Sequence, residues 1–270
     1  MITRGIYTAA KGMESLLDLN DTIANNLANV NTTGFKKSAL TFRNVYDTTV
    51  EQSTPPGEEY KRSEWRNVGT LSVGPETHES IVQFTQGTLE RTGNPLNIAI
   101  QGDGFFKVKN LDGNVAYTRN GDLTLDGQDY LITTDGERIL DTVGQPVKIS
   151  LEATQSNRNQ IVINEDGQIV INNPNSPQML QKIGIFDFAD KREMLSLGNG
   201  KFIPKDLQEN PEIKGGRFSI QQGAVELSNT NTINEMINSI QVSRCYETLS
   251  KLVQQDSELL GQVINLGKLK

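Results

Sequence analysis

The chain has 270 residues and 29.8 kDa, and with 35% apolar and 22% charged residues it can bury a core of its own. Twenty-six basic against 33 acidic residues leave a net charge of −7 and a pI near 4.9, which opposes unaided binding to nucleic acid or anionic lipid. A single histidine, His78, and a single cysteine, Cys245, exclude a multi-histidine or multi-cysteine metal site and any internal disulfide.

The first residues, Met1 to Ile6, lead into a polar, amide-rich helical pattern and not into an apolar stretch with a small-residue cleavage site. No apolar run approaches the roughly 20 residues that cross a bilayer. On these grounds alone the chain reads as cytoplasmic. From Ile2, apolar or small residues recur at Ile2, Ile6, Ala9, Met13, Leu16, Asn20, Ile23, Leu27 and Val30, at alternating spacings of four and three. A coiled-coil seam requires this period, and an amphipathic helix packed on its own domain gives the same stripe. Asn20 alone breaks the stripe, and one polar seam residue can set register. Thr3 is placed as the N-cap, and Asn29 to Gly34 as the C-terminal stop.

A polar stretch from Asp47 to Ser80, with Pro55-Pro56-Gly57 and Lys61-Arg62, reads as a long, extended connection. Short Ile/Val/Thr/Phe runs follow, punctuated by Asp112-Gly113, Asp126-Gly127, Asp135-Gly136 and Asp166-Gly167, which are hairpin-turn dipeptides. The clearest hairpin spans Ile161 to Ile171. Asn94 and Pro95 mark a turn, Gly102 and Gly104 serve backbone conformation, and Phe105 and Phe106 are expected one inward and one outward on a strand. Gln86 to Thr92 and Gln222 to Ser228 share Gln-Gly, an apolar residue, Glu and a hydroxyl. A symmetric pair of strands flanking the β region explains that echo, as does chance.

Thr232-Ile233-Asn234-Glu235 has capping-box spacing and opens a helical pattern to about Gly267. Ile233, Ile237 and Ile240 lie on one side of it, whereas Val242, Cys245, Leu249, Leu252, Leu260 and Val263 lie roughly opposite. Such a helix needs different neighbours along its length, from one compact domain or from two adjacent subunits.

Motifs for chemistry are missing. Gly102-Asp103-Gly104-Phe105 lacks the third glycine of a dinucleotide cradle, and the acidic run from Asp122 has Thr133 where a calcium loop needs its bidentate glutamate. His78 sits in a polar segment and reads as solvated. Lys36-Lys37 and Lys61-Arg62 read as solvated surface, and Cys245 as a small buried hydrophobe. Asp187 and Asp190 could serve carboxylate chemistry, but spacing alone does not make them converge.

Ala24-Asn25-Asn26-Leu27-Ala28-Asn29-Val30-Asn31-Thr32-Thr33-Gly34-Phe35-Lys36-Lys37 resembles the N-terminal signature of the bacterial flagellar rod and hook axial proteins. Thr92 to Phe106, Tyr117-Thr118-Arg119-Asn120-Gly121, Leu227-Ser228-Asn229-Thr230 with Glu235-Met236, and Arg244 to Tyr246-Glu247 with Lys251 agree, so the likeness covers nearly the whole chain. Length and a single β region resemble the basal-body rod proteins more than the longer hook protein. Departures stand at Lys11, Asn97 and Cys245, where the family tends to have small, acidic and alanine residues.

The resemblance implies an α+β fold. Terminal helices form a coiled-coil-like inner domain, and the centre is an all-β domain of hairpins. Residues 1–45 are then the N-terminal axial helix and signature, 46–80 an extended connector, 81–226 the β-rich domain and 227–270 the C-terminal axial helix. It implies a structural rod subunit that polymerises helically and transmits torque, with itself, neighbouring rod and hook proteins and the flagellar type III export apparatus as partners. Neither nucleic acid nor membrane insertion is expected, nor any cofactor, metal or catalytic group. Export without a cleaved signal would place it in the periplasm-spanning rod, reversing the cytoplasmic reading.

Assembly contacts are expected from Ile6, Met13, Asn20, Ile23, Asn25, Asn26, Leu27, Asn29, Asn31, Gly34 and Phe35 at one end. At the other they are expected from Ser228, Asn229, Glu235, Met236, Ile240, Arg244, Tyr246, Leu249 and Leu252. The four asparagines at 25, 26, 29 and 31 could equally be helix-end polar groups. The rival readings are a soluble β domain that binds glycan or peptidoglycan, a hook-type axial protein and a carbohydrate-active enzyme.

Overall fold

A computed structural model describes residues 2–53, 65–110, 113–149, 161–171, 178–214 and 217–268. Pro55-Pro56-Gly57, Lys61-Arg62 and Asp112 lie outside the described residues. The fold is α+β, with a long helix toward each end of the chain and strands between. The chain divides into two compact units, one of Met1–Asn25, Ala39–Ile81 and Ile233–Lys270, the other of Asn26–Ser38 and Val82–Thr232.

The first unit is built from α1 (Ile2–Ala28), β1 (Ser38–Ser53), β2 (Trp65–Val82) and α2 (Thr232–Lys268). Helix α1 begins at Ile2, so Thr3 lies in its first turn and does not cap it. Its seam residues Ile6, Ala9, Met13, Leu16, Asn20 and Leu27 are half-buried and Ile23 is buried. The partner along part of that seam is α2. A Cβ placed on Gly5 would lie 3.4 Å from Asp256 Oδ2, one on Gly12 would lie 3.3 Å from Leu249 Cδ1, and Ser239 Oγ donates to Asn20 Oδ1 at 3.3 Å. Positions rise along α1 as they fall along α2, so the helices run antiparallel. Gly5 to Gly12 and Asp256 to Leu249 are equal steps of seven, the coiled-coil repeat. The covered row of α2 runs through Glu235, Ser239, Val242, Leu249, Val253, Asp256 and Leu260.

Another flank of α1 meets the strands. Ser15 Oγ donates to the Pro75 carbonyl at 3.3 Å, Thr77 Oγ1 to Asp18 Oδ2 at 2.6 Å, and Gly74 accommodates Lys11 and Thr8. The stretch expected as a connector thus holds much of two long strands that pair with each other. Thr41 Oγ1 donates to the Glu79 carbonyl at 2.9 Å, and Arg43 meets Glu76 at 3.1 Å.

The second unit is β-rich. Its largest sheet centres on β5 (Phe105–Lys109) and β6 (Val115–Thr118), extended on one side by β15 (Lys201–Pro204) and β14 (Met194–Gly198). On the other side lie β9 (Arg138–Ile139), β8 (Leu131–Thr133) and β7 (Leu123–Leu125), while β13 (Ile185–Phe188) joins β5 to β16 (Glu212–Lys214). The hairpin expected at Asp166-Gly167 is present. Strands β10 (Ile161–Ile163) and β11 (Gln168–Ile171) pair antiparallel, and Gly167 at φ +83° donates to the Asn164 carbonyl at 2.9 Å. Strand β12 (Gln178–Lys182) completes that small sheet.

The two echo segments pair with each other. Strand β3 (Leu89–Arg91) lies antiparallel to β18 (Ala224–Glu226), with Leu89 opposite Glu226. Beside them β4 (Ile98–Gly102) pairs with β17 (Phe218–Gln222). The glutamine of each echo serves backbone groups: Gln86 reaches Ile100 and Gly102, and Gln222 reaches Pro95, Ile161 and Ile163.

Phe105 and Phe106 point to opposite faces but are both fully buried, a correction to the inward-outward expectation. The reason is that both faces of the sheet are covered. Phe106 joins the large aliphatic core with Ile98, Ile100, Ile139 and Ile169, whereas Phe105 joins an aromatic core with Tyr117, Phe186, Phe188 and Phe202. Edge-to-face packing organises the latter, with Tyr117 and Phe188 centroids 4.8 Å apart at 87°.

Candidate assembly surface

The signature segment after α1 is bound into the second unit. The Asn26 side chain mimics a strand partner, donating to the Ser38 carbonyl at 2.8 Å and accepting from its amide at 2.9 Å. Thr32 Oγ1 donates to Asn29 Oδ1 at 3.2 Å, Phe35 is buried, and Asn25 and Asn31 are exposed. Gly34, at φ +70°, donates its amide to the Glu226 carbonyl at 2.7 Å. A Cβ there would sit 2.3 Å from the Asn120 amide nitrogen, so no larger residue fits.

Lys36 corrects the sequence reading: it is 1% exposed. Its ammonium donates to Glu226 Oε1 at 2.5 Å and to the Thr85 carbonyl at 2.8 Å. Glu226, fully buried, also accepts from the Gly87 amide at 2.8 Å and from Arg119 Nη1 at 3.3 Å. Arg119 donates in turn to the Gly102 carbonyl at 2.9 Å and lies over the Phe105 ring. Burial pulls both Lys36 and Arg119 below their ordinary pKa values, and the Glu226 carboxylate pulls each the other way. One carboxylate therefore compensates two buried cations. Asn229 extends the clasp, accepting from the Lys37 amide at 2.8 Å and donating to the Gln83 carbonyl at 2.7 Å and Thr85 Oγ1 at 2.9 Å. Ser228 Oγ accepts from the Thr230 amide at 3.1 Å.

The turn residues close the same region. Asn94 Oδ1 accepts from the Leu96 amide at 3.1 Å, and the Pro95 carbonyl accepts from Gln222 at 2.7 Å. Gly102 and Gly104 both have positive φ, and a Cβ on Gly102 would lie 2.3 Å from the Arg217 carbonyl oxygen. None of this clasp was assigned from sequence except as family motif, because Lys36 and Glu226 stand 190 residues apart.

The helices present another kind of surface. Ile233, Met236, Ile237 and Ile240 are 48–69% exposed on α2, and Leu252, Leu259, Val263 and Ile264 further along are about half-exposed or more. Arg244 and Tyr246 are exposed as well, and Cys245 is exposed, not buried. Leu249 is half-buried against Gly12, and Glu235 is 5% exposed. Sequence-predicted contact residues therefore sort into three groups. Asn26, Gly34, Phe35 and Asn229 are engaged inside the second unit, Asn20 and Leu249 are engaged between α1 and α2 of the first unit, and Met236, Ile240, Arg244 and Leu252 stand open on α2.

Among the described residues no cluster of three or more His, Cys, Asp or Glu is placed to hold a metal ion. Asp187 lies 3.3 Å from Lys191, whereas Asp190 accepts from Arg192, so the two carboxylates have separate partners. His78 is exposed. The cleft lined by Lys11, Glu14, Ser15, Asp18 and Thr77 carries a Lys11–Glu14 ion pair at 2.7 Å on its wall.

Tyr117 offers a spectroscopic check on the aromatic core. Its hydroxyl donates to Glu212, which also pairs with Lys107 at 2.5 Å, and burial, then that carboxylate, pushes the phenol well above the ordinary tyrosine range. Because the folded value is raised, its contribution to stability is complete below the ordinary range and is lost only as pH rises through the folded value. In an ultraviolet titration of the six tyrosines, Tyr117 is expected to stay un-ionised until the fold is lost. Its ionisation together with exposed tyrosines near pH ~10 would contradict this environment.

Three family models match the chain: "Flagella basal body rod protein" over residues 6–36, "Flagellar hook protein FlgE/F/G D1 domain" over 99–171, and "Flagellar basal body rod FlgEFG protein C-terminal" over 221–266. Flagellar basal-body rod protein FlgG of Borreliella burgdorferi is 34% identical, over 98% of this chain and 99% of its own length. The FlgG of Bacillus subtilis is 30% identical over 98% and 99%, and the FlgF of Mesorhizobium japonicum 28% identical over 96% and 95%.

Proposed function

The chain belongs to the flagellar basal-body rod protein family, and from that premise we propose that it is a structural axial subunit that polymerises through its two terminal helices. The observation carrying this reading is the bare apolar face of α2 at Ile233, Ile237 and Ile240, a surface that a lone molecule would leave in water. Burying such side chains between copies contributes about 1.5–3 kcal/mol each. A contact between unlike surfaces of identical molecules does not close on itself and so grows into a helical polymer. Torque then passes through packed helices, and no catalysis is involved.

The partners on this reading are further copies and neighbouring rod and hook proteins. Delivery is by the flagellar type III export apparatus without removal of a leader, so intact mass spectrometry of the subunit from isolated basal bodies is expected to find no N-terminal segment cleaved.

The central test is Ile240→Asp. A charge buried at a packed helix face is strongly unfavourable, so polymerisation followed by light scattering and swimming are both expected to be lost. The circular dichroism spectrum of the full chain should be unchanged, because Ile240 is 54% exposed in the single molecule. Normal polymerisation and swimming would overturn the reading.

A further inference from the structure

Beside its half-buried seam, α1 carries a second row of the same period: Tyr7, Ala10, Glu14, Leu17, Asp21 and Ala24, continuing to Ala28, all exposed. On α2 the open isoleucine row continues through Arg244, Glu247 and Lys251, also all exposed. The two rows differ in charge and in bulk. The first is acidic at Glu14 and Asp21 and small at Ala24 and Ala28; the second is basic at Arg244 and Lys251 and large at Ile237 and Ile240. Glu14 and Asp21 are seven residues apart, as are Arg244 and Lys251, so each pair lies on one helix face two turns apart. Among the described residues, Asp21, Arg244 and Lys251 form no ion pair, and Glu14 pairs only with Lys11.

Resting on the rod reading above, we propose that the acidic row of α1 in one copy docks antiparallel on the basic, isoleucine-rich row of α2 in the next copy, with Asp21 facing Arg244 and Glu14 facing Lys251. Antiparallel order is chosen by bulk. It sets Ile237 at the level of Ala28 and Ile240 near Ala24, large against small, so the helices can approach closely. Parallel order would instead set Ile237 at Tyr7. Glu247, inside the basic row, stands four residues before Lys251 and can pair along its own helix. The partner is thus a second copy of this chain, and the charges determine register while the isoleucines supply burial.

Charge exchange tests this in the full-length protein. Asp21→Lys alone and Arg244→Glu alone are each expected to reduce polymerisation, followed by light scattering, by about tenfold or more, through like charges placed face to face. The combined Asp21→Lys, Arg244→Glu protein is expected to recover most of that loss, and swimming with it. Neutral variants Asp21→Asn and Arg244→Gln should show smaller losses in the same order, and helical circular dichroism should be unchanged throughout. Absence of any loss in the single variants, or failure of the combination to recover, overturns the pairing. Recovery of Asp21→Lys by Lys251→Glu and not by Arg244→Glu overturns the antiparallel order. If the charge variants polymerise normally while Ile240→Asp does not, this pairing fails and the rod reading stands; if Ile240→Asp also polymerises, both fail.

Discussion

Glu226→Gln is expected to lower the unfolding free energy of the protein by about 3–5 kcal/mol, the usual effect of removing one partner from a buried ionic group. The amide leaves Lys36 and Arg119, 1% and 2% exposed, as neighbouring cations that have lost the carboxylate they share. Lys36→Met should be the milder change, because it leaves Glu226 and Arg119 as a neutral pair. Urea unfolding of the full chain measures both, and the order matters more than the magnitudes. A Lys36→Met protein less stable than Glu226→Gln would mean that the carboxylate does not compensate two charges. Hydrogen exchange adds a local readout: the Gly87 amide, bonded to Glu226 Oε1, should lose more protection in Glu226→Gln than the β10–β11 amides do, because its acceptor is weakened as well as the fold.

Gly34→Ala is the second large effect. At φ +70° an L side chain is strained by about 1–3 kcal/mol. The new methyl would also press on the backbone of Arg119 and Asn120, at 2.5 Å and 2.3 Å, adding about 1–3 kcal/mol of overpacking. Gly93→Ala provides the comparison, since Gly93 has φ +74° but nothing within 4 Å of its added Cβ. The difference between the two melting curves isolates the steric contribution. Equal destabilisation would show that the signature does not need its close approach to residues 119 and 120.

Much of this was legible where the information is local. The α1 stripe, the long C-terminal helix and the Asp166-Gly167 hairpin follow from periodicity and turn chemistry, which depend on neighbours a few residues away. The echo at Gln86 and Gln222 proved to be two paired strands, visible as a repeat although its pairing was not. What stayed hidden depends on distant partners. Lys36 read as solvated because nothing beside it is acidic; its partner comes from the far end of the chain. The covered row of α2 was legible only at Val242, Leu249 and Leu260, because Glu235, Ser239 and Asp256 interrupt its apolar pattern, and the paired strands β1 and β2 were hidden by their polar composition. Asn26 and Asn229 look like helix-end or contact amides in the sequence, yet each serves as a surrogate backbone.

Helix α2 is 37 residues long and α1 is 27, and with Gly5 set against Asp256 the shorter helix starts well before the longer one ends. At about 1.5 Å per residue, the stretch from Leu260 to Lys268 projects some 13 Å past the beginning of α1. In the polymer proposed above, such an overhang would make a lap joint instead of a butt joint. Shear would then be spread along the length of the overlap, and twisting strain at any level would be shared by more than one layer.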